Sequence, residues 1–197
     1  MCGICGITWD DKDGLARMLK TLKHRGPDET ATFLDGRVSL GMQRLAIQDL
    51  TKGIYPVTRG KTHVIFNGEI YNHNELRKEI RARFTTTCDA EILAHGYNTW
   101  GLDLIKKLNG MFAICIYDEV RAQLHLIRDR IGIKPLYYRK HPQGISFASE
   151  TKRPPEFPPY RHDDLDATFS PLIDRLREYL GREYVERAIA IPIQERQ

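Results

Sequence analysis

Residues 1–7 read MCGICGI, and the apolar, β-branched character of this stretch continues to Trp9. This composition predicts a strand over residues 4–9, almost at the amino terminus. A secretory signal would need a basic segment followed by a longer apolar segment, and neither is found here. We therefore expect a cytoplasmic protein with reduced thiols, in which Cys88 and Cys115 are core residues rather than halves of a disulfide.

Beyond this strand, strand and helix signals alternate without the regular βαβ order of a parallel sheet. Leucines and Met18 recur at helical spacing over residues 15–22, and Asp35-Gly36 separates two strand-like runs as a hairpin turn would. Two further helices are predicted over residues 74–83 and 89–100. Further strands are predicted over residues 63–66, 111–117, 123–128, 136–138 and 145–148. This mixture predicts an α+β fold with largely antiparallel sheets.

A proline-rich segment marks the end of this domain. Four prolines fall within residues 154–159, a density that neither a helix nor an interior strand sustains. We therefore predict a domain over residues 1–152, a linker over residues 153–168 and a tail over residues 169–197. The tail carries an apolar stripe between charged faces, which predicts a helix over residues 172–190.

The overall composition is that of a soluble globular chain. Of the 197 residues, 41% are hydrophobic and 28% are charged, and the formal net charge is +4. This excess is too small to predict binding to nucleic acid or to a lipid surface. No apolar stretch approaches the roughly 18 residues that a membrane-spanning helix needs. The basic cluster at residues 128–134 is interpreted as a solvated loop, with a surface for a partner domain as the alternative.

Cys2 is the first candidate for chemistry. If Met1 is removed, Cys2 carries both a thiol and a free α-amino group. An α-amino group has a pKa of about 7.7–8.0, so that near neutral pH it can be unprotonated and act as a base. Cys2 would then be a nucleophile with its own base. The alternative is an idle thiol that packs as a small hydrophobic side chain.

Cys2 and Cys5 also form a C-x-x-C pattern, which is typical of redox and zinc sites. Residues three apart on a strand point to opposite faces of the sheet, so the two thiols would not meet. A zinc site would need a second such pair, and the seven histidines are scattered singly. We therefore expect no metal and no cofactor.

Asn67 and Gly68 follow a predicted strand and could form an oxyanion hole. The asparagine amide is a hydrogen-bond donor, and glycine allows the backbone N–H to approach a ligand oxygen closely. The alternative is a plain Asn-Gly turn. The flanking residues do not alternate as hairpin strands would, so both interpretations stay open.

Arg44 and Asp89 could together bind an α-amino acid. Arg44 is a charged residue within an apolar run, and a guanidinium can bind a carboxylate through two hydrogen bonds. Asp89 could bind an ammonium group. It also stands at the start of a predicted helix, where a carboxylate that caps the helix is the alternative.

Several segments resemble the class II glutamine amidotransferase domain, a branch of the N-terminal-nucleophile hydrolases, in the form found in glutamine-hydrolysing asparagine synthetases. They are MCGI at residues 1–4, HRGPD at 24–28, RLAI at 44–47, NGEIYN at 67–72, DAE at 89–91, RDRIGIKPLYY at 128–138 and FASE at 147–150. These motifs cover about three quarters of the chain in order, which makes them far more specific together than singly. The resemblance implies a four-layer α/β/β/α sandwich of two antiparallel sheets.

The resemblance also implies roles for individual residues. Cys2 would attack the side-chain amide of L-glutamine, and the Asn67 side chain and the Gly68 N–H would hold the resulting oxyanion. Arg44 would hold the substrate α-carboxylate and Asp89 its α-ammonium group. Ile47 and Glu69 would border the pocket. The segment that orders over the bound substrate would consist of Arg25, Gly26, Pro27 and Asp28.

The resemblance ends before the second domain of the asparagine synthetases. Their ATP-pyrophosphatase signature, S-G-G-x-D-S, is not found within residues 152–197. We therefore expect the ammonia to be passed to an ATP-dependent synthetase domain or subunit in trans, with a truncated product of a longer enzyme as the alternative. A catalytically weak glutamine-binding or interaction module is the alternative function. The oligomeric state stays open, with a homodimer among the alternatives.

Overall fold

The computed structural model describes residues 1–46, 55–151 and 187–193, with the backbone alone for residues 187–190. The strands, in chain order, are β1 (Gly3–Ile7), β2 (Glu29–Leu34), β3 (Ser39–Arg44), β4 (Val57–Arg59), β5 (Thr62–Ile70), β6 (Gly110–Asp118), β7 (Gln123–Arg128), β8 (Tyr137–His141), β9 (Gly144–Ala148) and β10 (Arg187–Pro192). The helices are α1 (Lys12–Leu22), α2 (His73–Glu79), α3 (Ala90–Trp100) and α4 (Leu104–Lys107). None of these helices is long and apolar enough to cross a membrane.

The strands form two antiparallel sheets of five strands each. The first sheet has the order β2-β3-β1-β9-β8, and the second has the order β10-β7-β6-β5-β4. All of the strand pairs are antiparallel, so the predicted sheet type is confirmed. The amino-terminal strand β1 lies at the centre of the first sheet, which fixes the position of the residues just ahead of it.

Three hydrophobic clusters divide the domain into four layers. Alternate residues of each strand face opposite sides of its sheet, so both faces of the central strands carry apolar side chains. The cluster between the two sheets includes Ile4, Leu40, Met42, Ile65, Cys115, Tyr117 and Leu126. A second cluster joins the outer face of the second sheet to α2, α3 and α4, and a third joins α1 to the first sheet. The expected α/β/β/α sandwich is therefore confirmed, and Cys88 and Cys115 are buried as predicted.

The hairpin predicted at Asp35-Gly36 is also confirmed, and it links the two sheets. Gly36 adopts a positive φ of 80°, and Asp35 Oδ1 accepts hydrogen bonds of 2.9 Å from the backbone N–H groups of Arg37 and Val38. The other carboxylate oxygen accepts a 2.8 Å hydrogen bond from the Tyr117 hydroxyl on β6. A single aspartate thus closes the β2–β3 turn and ties the first sheet to the second.

The predicted helical tail is wrong for the part of it that the structure describes. Strand β10 pairs with β7 from Arg187 opposite Arg128 to Pro192 opposite Gln123. Alanine and isoleucine alternate over residues 188–191, which is a strand pattern, and proline is tolerated in an edge strand. This pairing covers the edge of β7, whose backbone groups would otherwise be open. The predicted linker and residues 169–186 lie outside the described residues.

Candidate active site

Cys2 lies one residue ahead of β1, on the side that faces the second sheet. Its half-buried side chain packs against the cluster between the sheets, as Ile4 does. The Leu45 N–H donates to Cys2 Sγ at 3.4 Å, and the Leu45 carbonyl oxygen lies 3.7 Å from the same sulfur. Cys2 is therefore fixed beside the end of β3, because Leu45, which contacts its sulfur, directly follows Arg44.

Cys5 points the opposite way, as the strand geometry predicts. It packs against Leu15, Leu19 and Leu22 of α1, and its burial raises the pKa of its thiol far above the usual value. The two thiols therefore cannot act together as a redox pair. Within the described residues, no group of three or more His, Cys, Asp or Glu side chains could hold a metal ion.

The backbone at the amino terminus is held by residues from both ends of the domain. Arg25 Nε donates a 2.9 Å hydrogen bond to the Cys2 carbonyl oxygen, and Arg25 Nη1 forms a 2.8 Å ion pair with Glu150. The Ile4 N–H donates to Ser149 Oγ at 3.0 Å. Burial opposes ionisation of Glu150, but hydrogen bonds from Arg25 and His24 outweigh it and lower its pKa. The sequence analysis gave Ser149 and Glu150 no role.

The segment with Arg25, Gly26, Pro27 and Asp28 docks onto the end of β3. A Cβ atom at Gly26 would collide with the Gln43 carbonyl oxygen, so only glycine fits at this close approach. The Asp28 N–H donates to the Arg44 carbonyl oxygen at 3.2 Å, and Asp28 Oδ2 accepts from the Ala46 N–H at 2.8 Å. The segment therefore supports the backbone that contacts Cys2, and its Arg25 is buried rather than exposed.

Asn67 and Gly68 lie within β5 and do not form a turn. The strand continues through both residues to Ile70, and they pair with Ala113 and Phe112 of β6. Asn67 follows Ile65 by two residues and therefore faces the space between the sheets, as Cys2 does. Its side chain is 1% exposed, and its Nδ2 donates to no residue that the structure describes. A side chain at Gly68 would collide with the Met111 carbonyl oxygen.

Asp89 occupies the N-cap position of α3 but makes its side-chain hydrogen bonds elsewhere. Its side chain makes no capping hydrogen bond to α3 and instead accepts a 2.8 Å hydrogen bond from the Ile70 N–H at the end of β5. Burial raises the pKa of Asp89, although the hydrogen bonds that it accepts from Ile70 and Cys88 act in the opposite direction. The carboxylate is therefore fixed by the backbone of Ile70, three residues beyond Asn67, without a capping hydrogen bond to α3.

Tyr55 joins the Arg44 side of the site to the Asp89 side. The Arg44 guanidinium lies 5.6 Å from the centre of the Tyr55 ring, and it also forms a 3.2 Å ion pair with Glu29. The Tyr55 hydroxyl lies 3.2 Å from Cys88 Sγ, which lies 3.6 Å from Asp89 Oδ1. Burial and the nearby Cys88 raise the pKa of Tyr55 well above its usual value, so the hydroxyl stays protonated.

Tyr55 lies in none of the motifs, and an isolated aromatic residue indicates packing more than chemistry, so its place in this site could not be predicted from the sequence. Glu69 lies on β5 two residues after Asn67 and shares its face. Ile47 lies outside the described residues. The structure thus brings Cys2, Arg44 and the segment at residues 25–28 together directly, and it places Asn67 on the facing sheet and Asp89 at the end of β5.

Glu91 anchors the loop that precedes Asp89. It is buried at the start of α3, where its carboxylate accepts backbone and hydroxyl hydrogen bonds from Thr85 and Thr86 and pairs with Arg59. Burial alone would raise its pKa, but these hydrogen bonds outweigh it and lower the pKa to about 2. The carboxylate therefore stabilises the fold in its ionised form.

We expect Glu91→Gln to lower the free energy of unfolding at pH 7 by up to about 3 kcal/mol. The lowered pKa means that this stabilisation is complete above the usual pKa of 4.5 and is lost as the pH falls towards 2. The difference in the free energy of unfolding between wild type and variant should therefore disappear as the pH falls from 5 to 2. Urea unfolding across this range measures it, with Glu75→Gln on the exposed face of α2 as the control. A difference in unfolding free energy that stays constant with pH would show that the ionised Glu91 carboxylate is not what stabilises the fold.

A family model described as a glutamine amidotransferase domain matches residues 1–166 of the chain. The chain belongs to this family. The resemblance inferred from the motifs is thereby confirmed over most of the sequence. A second model, described as bacterial type VI secretion, matches residues 145–197, which is less than a third of the chain.

Two relatives of this amidotransferase domain carry the name asparagine synthetase. The chain is 41% identical over 167 residues to glutamine-hydrolyzing asparagine synthetase 3 of Bacillus subtilis (strain 168), covering 77% of this chain and 27% of that protein. It is 36% identical over 177 residues to a putative glutamine-hydrolyzing asparagine synthetase 2 of Methanocaldococcus jannaschii, covering 77% and 34% respectively. The chain therefore spans about a quarter to a third of the length of these relatives.

A solved structure supports the fold of this amidotransferase domain independently. The glutamine phosphoribosylpyrophosphate amidotransferase from B. subtilis, complexed with ADP and GMP, superposes with a TM-score of 0.64. The match covers 96% of this chain and 47% of that chain at 17% sequence identity. At this identity the similarity establishes the shared fold of two sheets between helices and no more.

Proposed function

We propose that this domain hydrolyses L-glutamine to glutamate and ammonia through a thioester on Cys2, after Met1 has been removed. The observation that carries this proposal is the buried Asn67 amide, which donates to no described residue and faces the space in which Cys2 lies. Leaving such a donor unpaired is costly, at about 1–3 kcal/mol, unless a ligand accepts its hydrogen bond. An oxygen that becomes negative during a reaction is such an acceptor.

The chemistry requires one nucleophile and one base. The Cys2 α-amine takes the thiol proton, and the thiolate then attacks the side-chain amide carbon of glutamine. The tetrahedral intermediate collapses by breaking the C–N bond, and the α-ammonium returns a proton to the departing nitrogen, so ammonia leaves. A water molecule, deprotonated by the same amine, attacks the resulting γ-glutamyl thioester, and glutamate leaves as the thiol re-forms.

The two donors of the oxyanion hole are the Asn67 side chain and the Gly68 N–H. Both belong to β5, which β6 pairs along its whole length, so little reorganisation is needed when charge develops on the oxygen. The Leu45 N–H, 3.4 Å from Cys2 Sγ, also favours a negatively charged sulfur. The site therefore supplies hydrogen bonds at both atoms that become negative.

The amino acid backbone of the substrate is held by charges of opposite sign. We assign the α-carboxylate to Arg44 and the α-ammonium group to Asp89, with Ile47 and Glu69 at the border and residues 25–28 next to the bound substrate. The support for this assignment is that both charged side chains are buried on the two sides of Tyr55. A zwitterion is a ligand that such a pair of separated charges fits.

We expect Asp89→Asn to raise the KM for glutamine by about 10²-fold, because a buried charge pair is lost. The asparagine can still accept the hydrogen bond from Ile70, so the loop should keep its conformation. Glutaramate lacks the α-ammonium group, so it should be a much poorer substrate than glutamine for the wild type. For Asp89→Asn, the two substrates should be hydrolysed almost equally well. Steady-state glutaminase assays measure this preference, with Asp103→Asn on the exposed surface as the control. Retention of the wild-type preference would exclude Asp89 as the ammonium ligand.

We further propose that the ammonia serves asparagine biosynthesis through an ATP-dependent, asparagine-synthetase-like domain or subunit in trans. The support is that the relatives are named asparagine synthetases and are three to four times as long as the matched region. We place this activity in the cytoplasm, in keeping with four cysteines that all remain unpaired. A pull-down with the full chain tests the proposal, which predicts a co-purifying ATP-using subunit that makes asparagine from glutamine. Glutamate release without any such subunit would favour a separate hydrolase.

A further inference from the structure

Lys134 lies in a loop that the structure fixes firmly, although the basic cluster at residues 128–134 is predicted to be a solvated loop. Asp129 accepts hydrogen bonds from the N–H groups of Ile133 at 2.8 Å and Lys134 at 2.9 Å, and another from Phe112 of β6 at 3.2 Å. Arg128 Nε donates to the Lys134 carbonyl oxygen at 2.7 Å. This network turns the Lys134 side chain inward, so the interpretation as a solvated loop is wrong for that residue.

The buried Lys134 ammonium group contacts the residue that precedes Cys2. Lys134 is 6% exposed, and its Nζ lies 3.2 Å from Met1 Sδ. Among the described residues, this thioether is the only hydrogen-bond partner of Nζ, and no carboxylate pairs with it. A thioether is a weak acceptor, so a buried ammonium group beside it is poorly satisfied. Met1 itself is 57% exposed, which leaves it accessible to an aminopeptidase.

We propose that Lys134 is a positioning residue of the glutaminase reaction, the positive charge that keeps the Cys2 α-amine in its uncharged, proton-accepting form. This inference rests on the proposed function, because it requires that Cys2 become the terminal residue. Five covalent bonds separate Met1 Sδ from the Cys2 nitrogen, so Lys134 Nζ lies within about 10 Å of that nitrogen. A buried cation and a half-buried cation at this separation disfavour each other measurably.

The other charged groups around Cys2 are paired or act elsewhere. Arg25, which binds the Cys2 carbonyl oxygen, forms an ion pair with Glu150, and His24 contacts the same carboxylate. Asp129 and Arg128 bind the backbone around Lys134, while Arg44 pairs with Glu29. The Tyr55 hydroxyl stays protonated, and Asp89 lies beyond Tyr55, where it is hydrogen-bonded to Ile70 at the end of β5. Within the part of the chain that the structure describes, Lys134 is therefore the cation near the Cys2 nitrogen that no carboxylate neutralises.

The sign of the effect follows from the two protonation states. The α-amine accepts the thiol proton only when it is uncharged, so activity rises as the pH passes upward through its pKa. A nearby cation disfavours the charged α-ammonium form and lowers that pKa. An α-amino group otherwise titrates at about 7.7–8.0, where much of it would be protonated at neutral pH. Lys134 thus extends the active range to lower pH.

We expect Lys134→Met to move the acid limb of the kcat/KM profile for glutamine upward by about one pH unit. The rate should fall about tenfold at pH 6.5 and return to the wild-type value above pH 9. Lys134→Arg keeps the charge and should keep the wild-type limb. Lys134→Gln, which retains a polar head in the buried position, gives the same test if the methionine variant does not fold. Circular dichroism establishes folding, and the same assay covers all four proteins.

Two results would overturn this inference while leaving the proposed function intact. One is an acid limb that stays in place in folded Lys134→Met or Lys134→Gln protein that retains Cys2-dependent activity. The other is an equal shift in Lys134→Arg, which would show that shape rather than charge is required. A rise in KM alone, with the limb unmoved, is a case of the first result and would place Lys134 in substrate binding. Wild-type protein without any Cys2-dependent hydrolysis would instead overturn the proposed function, and this inference with it.

Discussion

Replacement of Cys2 with alanine is expected to reduce kcat/KM for glutamine hydrolysis by at least about 10³-fold. The Cys2 thiol is the proposed nucleophile, and the other described thiol near the site, Cys88, is buried, which raises its pKa and disfavours its thiolate. Binding should persist, because Arg44 and Asp89 are unchanged and contact a different part of the substrate. Glutamate release measures the loss of activity, and isothermal titration with glutamine measures the retained binding.

Cys115→Ala is the matched control for this variant. Cys115 is fully buried between the two sheets, and burial raises the pKa of its thiol well above the usual value. This variant should lose some stability through the small cavity that it creates but should keep its activity. If Cys2→Ala hydrolysed glutamine as fast as the wild type, the chain would be a glutaminase of another mechanism. If wild type bound glutamine without hydrolysing it, the chain would be a binding module.

Replacement of Asn67 with alanine is expected to lower kcat by about 10²–10³-fold while changing KM much less. The amide donates to no described residue in the free domain, so removing it costs no internal hydrogen bond that the structure shows. Its contribution should appear only when the substrate oxygen becomes negative, which is why kcat should fall rather than binding. Initial rates over a range of glutamine concentrations separate these two parameters.

Asn67→Asp and Asn74→Ala complete this experiment. The aspartate has the shape of asparagine but would present a negative charge to the developing oxyanion, so its kcat should fall at least as far. Asn74 lies on the exposed face of α2, and its substitution should leave the rate unchanged. A rise in KM at constant kcat for Asn67→Ala would show that the amide binds the ground state and is not an oxyanion donor.

The fold could be predicted well where local pattern and burial coincide. Strand β7 was predicted with its observed bounds, and the α1 stripe and the turn at Asp35-Gly36 also formed as expected. Each of these depends on residues that are close in sequence. The predicted helix at residues 74–83 ends earlier, at Glu79, because Ile80 adopts an extended backbone conformation. The tail strand β10 was missed because its partner, β7, lies about 60 residues away.

The candidate site was predictable from the sequence only in part, for a similar reason. Cys2, Asn67 and Asp89 stand in short motifs whose residue types suggest chemistry on their own. Tyr55 and Lys134 can be assigned to the site only from their contacts across the fold, with Cys88 and with Met1 respectively. Glu150 likewise reaches the amino terminus through Arg25, 125 positions earlier. The spacing of residues along the sequence does not predict these contacts, because they depend on how the two sheets pack.

The central claim is that the thiol and the base belong to one terminal residue, and intact mass spectrometry tests it most directly. Active protein is mixed with excess glutamine, quenched in acid within one turnover and compared with unmixed protein. We predict a mass that lacks Met1 in both samples, and in the quenched sample an added glutamyl group on the peptide that begins with Cys2. Fully active protein that retains Met1, or a glutamyl group attached to any other residue, would contradict the claim.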